Sequence, residues 1–324
     1  MSVLDEIRKP VEKEMDEFES YFNRTMQSNI PLLKIILNYI LRRKGKQMRP
    51  LLVFLTAGLN GKIAESTYVA ATLIELLHTA SLVHDDVVDD ANERRGALSI
   101  KALWNSKIAV LVGDYMLSQG LIISLEKSRF EMLEIVSEAV KAMTEGELLQ
   151  LQKSRKLNIK EPDYYKIIMS KTAALVAACT ATGARSATEN SDIIQQMKEF
   201  GENIGIAFQI RDDLLDYETN GLTGKIVGND IKERKLTLPL IHALEIASSS
   251  QKKKVMAIVK KKKKTKDEIK EVIDFVSASG GLEYAELKMN LFRDKALAIL
   301  DSYQDCDYKN SLKKFIYYTT SRNK

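Results

Sequence analysis

Two five-residue stretches carry the densest chemistry in this chain. Asp85-Asp86-Val87-Val88-Asp89 and Asp212-Asp213-Leu214-Leu215-Asp216 repeat one spacing 127 residues apart, each inside an apolar stretch of helical period. On a helix, positions i, i+1 and i+4 share a face, so each copy aims three carboxylates one way and turns its Val-Val or Leu-Leu pair towards packing. One such cluster could be a solvated helix surface; its repetition argues for a shared task. If the two helices face each other six carboxylates converge, and two of them roughly 4 Å apart at an effective dielectric constant near 20 repel by about 4 kcal/mol. Such a site needs cations. Carboxylate oxygen without imidazole or thiolate selects a hard ion, and Mg²⁺ takes one or two carboxylates and completes its shell with water and substrate phosphate. The expected substrate carries phosphate or diphosphate.

Cations stand where such a substrate needs them. Lys46 and Arg49 lie in Lys44-Gly45-Lys46-Gln47-Met48-Arg49-Pro50, Arg94 and Arg95 follow the first motif, Lys171 precedes Thr172, and Lys225 and Lys235 follow the second. Arg offers phosphate a planar fork and Lys a point charge. Taken singly, each reads as an ordinary surface cation; together they supply enough charge for two diphosphates.

The elements that must position these groups are helical. Gly and Pro together number only 20 of 324 residues, too few turn formers for a sandwich, barrel or propeller. Apolar spacings of three and four predict two helices within 11–42, broken near Pro31. Further helices are predicted near 49–60, 64–90, 100–126, 129–152, 162–184, 192–217, 236–249, 267–278 and 281–302. The reading is all-α, one domain over 1–324. Two cysteines, Cys179 and Cys306, are too few for a disulfide framework and neither has metal-ligand spacing, which fits a reducing, cytoplasmic setting. The charged N-terminus reads as no signal peptide, and no apolar run approaches the roughly 20 residues that span a bilayer. Net charge is a modest +5 and predicts no nucleic-acid binding. The lysine-rich stretch 251–266 reads first as a solvated loop or helix end, with contact to an anionic membrane or polyanion as the sharper alternative.

The ordered set of motifs resembles the trans-isoprenyl diphosphate synthases, or polyprenyl synthetases, along nearly the whole chain. It comprises Gly45-Lys46-x-x-Arg49-Pro50, Glu75 to His84 leading into the first aspartate motif, Arg94-Arg95-Gly96, Gly146-Glu147 with Gln150, and Lys171-Thr172. Phe208-Gln209 before the second motif, Thr237-Leu238-Pro239 and Gly280 to Ala285 complete it. The resemblance implies a single-domain bundle of ten or more helices around a central cavity, of isoprenoid synthase type. It implies Asp85, Asp89 and Asp212 as principal Mg²⁺ ligands, supported by Asp86, Asp213 and Asp216. Arg94, Lys171, Thr172, Gln209, Lys225 and Lys235 would take the allylic diphosphate, with Lys171 also catalytic, and Gly45, Lys46, Arg49, His78 and Arg95 the isopentenyl diphosphate. His84 and His242 read as structural. Two departures stand out: Lys44-Gly45-Lys46-Gln47 where the family commonly has Gly-Gly-Lys-Arg, and Arg234-Lys235 where it commonly has Gly-Lys.

The implied activity is repeated head-to-tail addition of isopentenyl diphosphate to an allylic diphosphate by a Mg²⁺-dependent prenyltransferase. A homodimer is implied, not membrane-spanning, with transient membrane contact for product release. Product length follows from helix rise: counting back from Asp85, Ser81 stands about 6 Å away, Leu77 about 12 Å and Ile74 about 16 Å, against roughly 5 Å per extended isoprene unit. Small Ala80 and Ser81 leave the tail unblocked where short-chain relatives tend to carry an aromatic, so a long product is expected, suited to a quinone side chain. The alternative is that these residues are small for helix packing, with a floor elsewhere, at Met116. The rivals are a short-chain farnesyl or geranylgeranyl diphosphate synthase, a terpene cyclase, and a non-catalytic partner subunit on the same fold.

Overall fold

The structure, a computed structural model, describes residues 2–43, 45–94, 96–218 and 228–321. It is helical as expected; among the described residues the only strands are β1 (Glu93–Arg94) and β2 (Ala97–Leu98), an antiparallel pair of two residues each. The helices are α1 (Val3–Arg8), α2 (Glu12–Thr25), α3 (Pro31–Leu41), α4 (Met48–Asn60), α5 (Glu65–Val88), α6 (Ile100–Leu103), α7 (Ser106–Glu126) and α8 (Phe130–Lys156). Then come α9 (Glu161–Ile168), a π-helical turn (Met169–Ala173), α10 (Ala174–Ala187), α11 (Ser191–Leu215), α12 (Asn229–Lys232) and α13 (Leu238–Ile246). The chain ends with α14 (Ser249–Lys260), α15 (Lys266–Ala278), α16 (Gly281–Asp301) and α17 (Asp307–Thr320).

Packing gathers the chain into two compact units. The first comprises Met1–Glu138, Ala178–Lys198 and Asp305–Leu312. Its axis is α5, which pairs with α4 and α7 and buries residues around most of its circumference, from Val69 through Leu77 to Ala80 and Val83. An aromatic run from Phe18 to Phe54 to Tyr68, ring centroids 5.8 and 5.1 Å apart, seats α2 and α4 against it. Each such side chain fully buried contributes roughly 1.5–3 kcal/mol, which is why so apolar a helix is stable only inside a bundle. The second unit comprises Ala139–Ala177, Glu199–Gln304 and Lys313–Lys324. Here α13 is enclosed by α9, α15 and α16, and Ile206, Ile210, Leu214, Leu240, Ile241 and Val276 share one core.

Several expectations change. The predicted helix over 100–126 is two helices, because Asn105 takes φ 137 and its side-chain oxygen accepts the Ile108 N–H at 3.0 Å, capping α7. The first part of the lysine-rich stretch is helix α14, which buries Val255, Ile258 and Val259 at helical spacing. Among the described residues three spans, α5, α7 and the continuous helix Glu161–Ala187, are long and apolar enough to cross a membrane by length and composition, which corrects the expectation that no run reaches that length. For α5 the apolarity is spent inside the protein, 72% of its most apolar window being buried, whereas in α7 only 39% is.

Candidate active site

Both aspartate motifs sit where a helix stops. Asp85 and Asp86 lie in the last turn of α5 and Asp89 is its C-cap, its N–H donating to the Asp85 carbonyl at 2.8 Å. Asp212 and Asp213 lie in the last turn of α11, and Asp216 just beyond. The C-terminal end is the negative pole of a helix, where added carboxylates are unfavourable by roughly 0.3–1 kcal/mol each. Folding alone would not choose this placement.

In the first unit Asp86 is buried and its Oδ1 accepts from the Arg94 Nε at 2.6 Å, while Asp85 and Asp89 are exposed. The three carboxylates therefore do not share one environment, and Val88, expected to pack, is 66% exposed. Arg94 reaches Asp86 from β1, turned back by the β1–β2 hairpin. Arg95 lies outside the described residues. Two turns before Asp85, His78 is buried on the same helix. Ser81 is half-buried with its hydroxyl on the His78 carbonyl at 2.9 Å, and Ala80 and Leu77 are buried. Since α5 is unbroken from Glu65 to Val88, the helix-rise distances along it hold. Gly45 and Lys46 are exposed just before α4, and Arg49 is half-buried in its first turn. Burial pushes the thiol of Cys179 up to about 12, with Arg49 opposing the rise.

The second unit surrounds its motif with donors. Asp213 is buried and accepts from the Tyr164 hydroxyl at 2.7 Å and from the Gln209 amide at 2.9 Å. Burial pushes its carboxyl up to about 8 despite those two hydrogen bonds, which favour the charged form. Thr172 donates in turn to the Gln209 carbonyl oxygen at 2.8 Å, so two residues expected at the allylic diphosphate also fix the orientation of Asp213. Asp216, buried too, accepts the backbone N–H groups of Asn229 and Asp230 at 3.0 and 2.8 Å and so caps α12. Asp212 is half-buried. Burial raises Asp230 to about 6, with Asp216 adding to the rise and Lys235 opposing it. The Lys235 ammonium is 2.6 Å from Glu233, whose carboxyl is in turn lowered by Lys235 and by Lys171. Lys225 lies outside the described residues.

Lys171 projects from the π-helical turn, 2.5 Å from a Glu147 carboxylate oxygen and 3.1 Å from the Gln150 amide oxygen. Single π turns inside α-helices recur at functional sites. Two glycines let other helices approach this one: a Cβ on Gly146 would lie 2.7 Å from the Ser170 Cβ, and one on Gly205 only 2.5 Å from the Ala173 Cα. Of the two histidines read as structural, His84 has its Nε2 3.2 Å from the Val110 carbonyl, and His242 stacks on Tyr284 with ring centroids 3.7 Å apart. The two departures from the family pattern share a backbone feature, since Gln47 and Arg234 both have left-handed φ, 49° and 61°. At Arg234 the family's usual glycine would adopt that conformation without a steric cost.

Sequence reasoning missed Tyr164, Asp230 and Glu233. Only the polar hydroxyl of Tyr164 on the apolar side of α9, with Ile167 and Ile168, hinted at a buried partner. Among the described residues no three acidic, histidine or cysteine side chains are gathered closely enough to hold a metal ion by themselves. The donors available at each of the two helix ends are carboxylate oxygens. They fit a hard divalent cation that takes one or two carboxylates and shares the rest of its shell with phosphate and water, and do not fit a closed all-protein site.

Residues 30–276 match the sequence profile of the polyprenyl synthetase family. The octaprenyl diphosphate synthase of Haemophilus influenzae is 31% identical over 326 aligned residues, covering 99% of this chain and 97% of that protein. A solved polyprenyl synthase from Caulobacter crescentus, complexed with calcium and isoprenyl diphosphate, is similar with a TM-score of 0.89 at 30% identity, covering 99% of this chain and 98% of that one. A geranylgeranyl pyrophosphate synthase from Bacteroides thetaiotaomicron is similar with a TM-score of 0.84 at 35% identity, over 99% and 100% of the two chains. With two aspartate motifs at helix ends, a π-turn lysine and an all-helical fold already in place, these likenesses settle that the chain belongs to the polyprenyl synthetase family.

Proposed function

We propose that the chain, as one polyprenyl synthetase domain over 1–324, is a Mg²⁺-dependent all-trans-polyprenyl diphosphate synthase making a long product. The observation that carries the metal assignment is the sorting of the six carboxylates. Asp86, Asp213 and Asp216 are buried and held by protein donors, whereas Asp85 and Asp89 are exposed and Asp212 is half-buried. Asp85, Asp89 and Asp212 would hold Mg²⁺, with the buried three fixing the helix ends that present them. Bound there, the ion would neutralise charge developing on the departing diphosphate.

The remaining steps belong to the chain's own groups. Arg94, Lys171, Lys225 and Lys235, with Thr172 and Gln209, hold the allylic diphosphate so that its C–O bond can ionise. Gly45, Lys46, Arg49, His78 and Arg95 hold isopentenyl diphosphate, Gly45 allowing close backbone approach. Arg49 stands at the positive pole of α4, as the aspartates stand at negative poles, and a cation there suits an anion bound at a helix N-terminus. Fixing both substrates converts a bimolecular encounter into an internal one. The released diphosphate accepts the proton, so no protein base is required.

Long product is favoured by Ala80 and Ser81 and by the octaprenyl relative; the geranylgeranyl neighbour carries the short-chain reading. The exposed Val110, Leu111, Leu121, Ile122 and Leu125 on α7 support a homodimer, and the low cysteine content supports a cytoplasmic setting. Purified protein given an allylic diphosphate, isopentenyl diphosphate and Mg²⁺ should release diphosphate, and chromatography of the product should show chains longer than four units. Allylic substrate consumed without isopentenyl diphosphate would favour a cyclase, no turnover a non-catalytic subunit, and a product of three or four units the short-chain reading.

A further inference from the structure

We propose that the lysine-covered turn between α14 and α15 is a docking surface for the acidic phospholipid headgroups of a membrane. The positive charge of this protein is local. Residues 249–270 hold ten lysines and two acids, so the rest of the chain has 39 basic and 42 acidic side chains and is net negative. In the structure Lys253, Lys260, Lys262, Lys263, Lys266 and Lys270 are all exposed, and none pairs with a carboxylate among the described residues. Lys254 and Lys261 do pair, with Glu271 and Glu268, and those two bonds fasten α14 and its connector to α15.

A distant segment adds to the same surface. The Lys264 ammonium donates to the Lys232 carbonyl at 3.3 Å and the Lys261 carbonyl at 2.9 Å, which ties the end of α12 to the turn. Lys232 and Arg234 arrive there without an acidic partner among the described residues. Burial chiefly, with the nearby Arg234 adding to it, lowers the Lys264 pKa. A fold that only needed solvated lysines would not gather cations from two segments.

The chemistry of the face selects its occupant. Its apolar residues, Val255, Ile258 and Val259 on α14 and Ile269, Val272 and Ile273 on α15, all point into the core, so the face has no apolar anchor for a protein interface. No aromatic residue lies between 249 and 274 to stack on a nucleic-acid base, and the cations are almost all lysine, a point charge rather than a base-reading fork. Clusters of four to eight lysines of this kind bind anionic lipid surfaces, and without apolar insertion that binding is peripheral and screened by salt. This goes beyond the enzymatic reading and gives the membrane contact an address.

The test is co-sedimentation of the full chain with phosphatidylcholine vesicles containing either no phosphatidylglycerol or roughly 30% of it, at salt from about 0.05 to 0.5 M. Binding to acidic vesicles should exceed binding to neutral ones by about tenfold or more and collapse across the salt series. Replacing the six exposed lysines together (K253Q, K260Q, K262Q, K263Q, K266Q, K270Q) should lower binding about tenfold, and arginine at the same six positions should retain it. Equal binding to neutral vesicles, salt-independent binding, or a folded glutamine variant that binds like the parent would each overturn the proposal. So would tighter binding to single-stranded RNA than to vesicles at equal phosphate concentration. None of these readings needs turnover, so failure here leaves the prenyltransferase reading untouched.

Discussion

At the end of α5 two carboxylates stand in solvent and one is buried against a single guanidinium. At the end of α11 two are buried, one between a tyrosine and a glutamine and the other on two backbone N–H groups. The same five-residue spacing is thus built into one loosely held end and one tightly held end. Spacing places carboxylates on a helix; it does not decide how many of them the protein keeps for itself. The tightly held copy caps α12 through Asp216, whereas the loose copy keeps Asp85 and Asp89 exposed at the end of its helix.

The strongest way to break this comparison is to remove a carboxylate assigned to metal. Asp85→Ala and Asp212→Ala should each lower turnover on the order of 10³-fold while circular dichroism stays unchanged, and chelation should do the same to the parent. Near-normal turnover of folded Asp85→Ala in Mg²⁺ would remove the first motif from the chemistry.

Next in size is product length, which depends on the helix that carries the loose copy. Ser81→Phe or Ala80→Tyr should shorten the product to about three or four units by filling the path about one isoprene unit from Asp85. An active variant with an unaltered product distribution would place the chain-length floor on another helix.

Stability separates the two ends more finely. Asp216→Ala strips a charged acceptor from two backbone N–H groups and should cost about 2–3 kcal/mol in urea unfolding. Asp89→Ala, exposed at a negative helix pole, should stay within about 0.5 kcal/mol of the parent. Equal losses would mean the two ends are held alike. Between those two should fall Tyr164→Phe, which deletes one of the two side-chain donors to Asp213: about 1 kcal/mol of stability, with the Michaelis constant for isopentenyl diphosphate unchanged.

Much of this was legible in the sequence. Long apolar periods located α4, α5, α8, α11 and α16 to within a few residues, because those helices bury a face and the period records it. Short or charge-masked helices did not register. In α14 three buried residues are outnumbered by lysines, and α12 has only four residues and is stabilised by Asp216 from another helix. The aspartates were legible because their spacing repeats. Their sorting into buried and exposed was not, since Tyr164 lies 49 residues from Asp213 and the N–H groups of Asn229 and Asp230 carry no side-chain signature.

The π turn at Met169–Ala173 hides in what reads as one continuous helix over 162–184. Tyr164 and Lys171 are seven residues apart and would share a face of a regular helix, yet Tyr164 is buried and Lys171 is exposed. One surplus residue slips the phase of the helix by roughly 100°, so that the same stretch of backbone serves a core on one side of the slip and an exposed lysine at it. The segment is therefore tolerant in composition and intolerant in length: changing a side chain at 169 or 170 leaves the phase alone, whereas losing or gaining a residue re-aims every group from Lys171 to the end of α10.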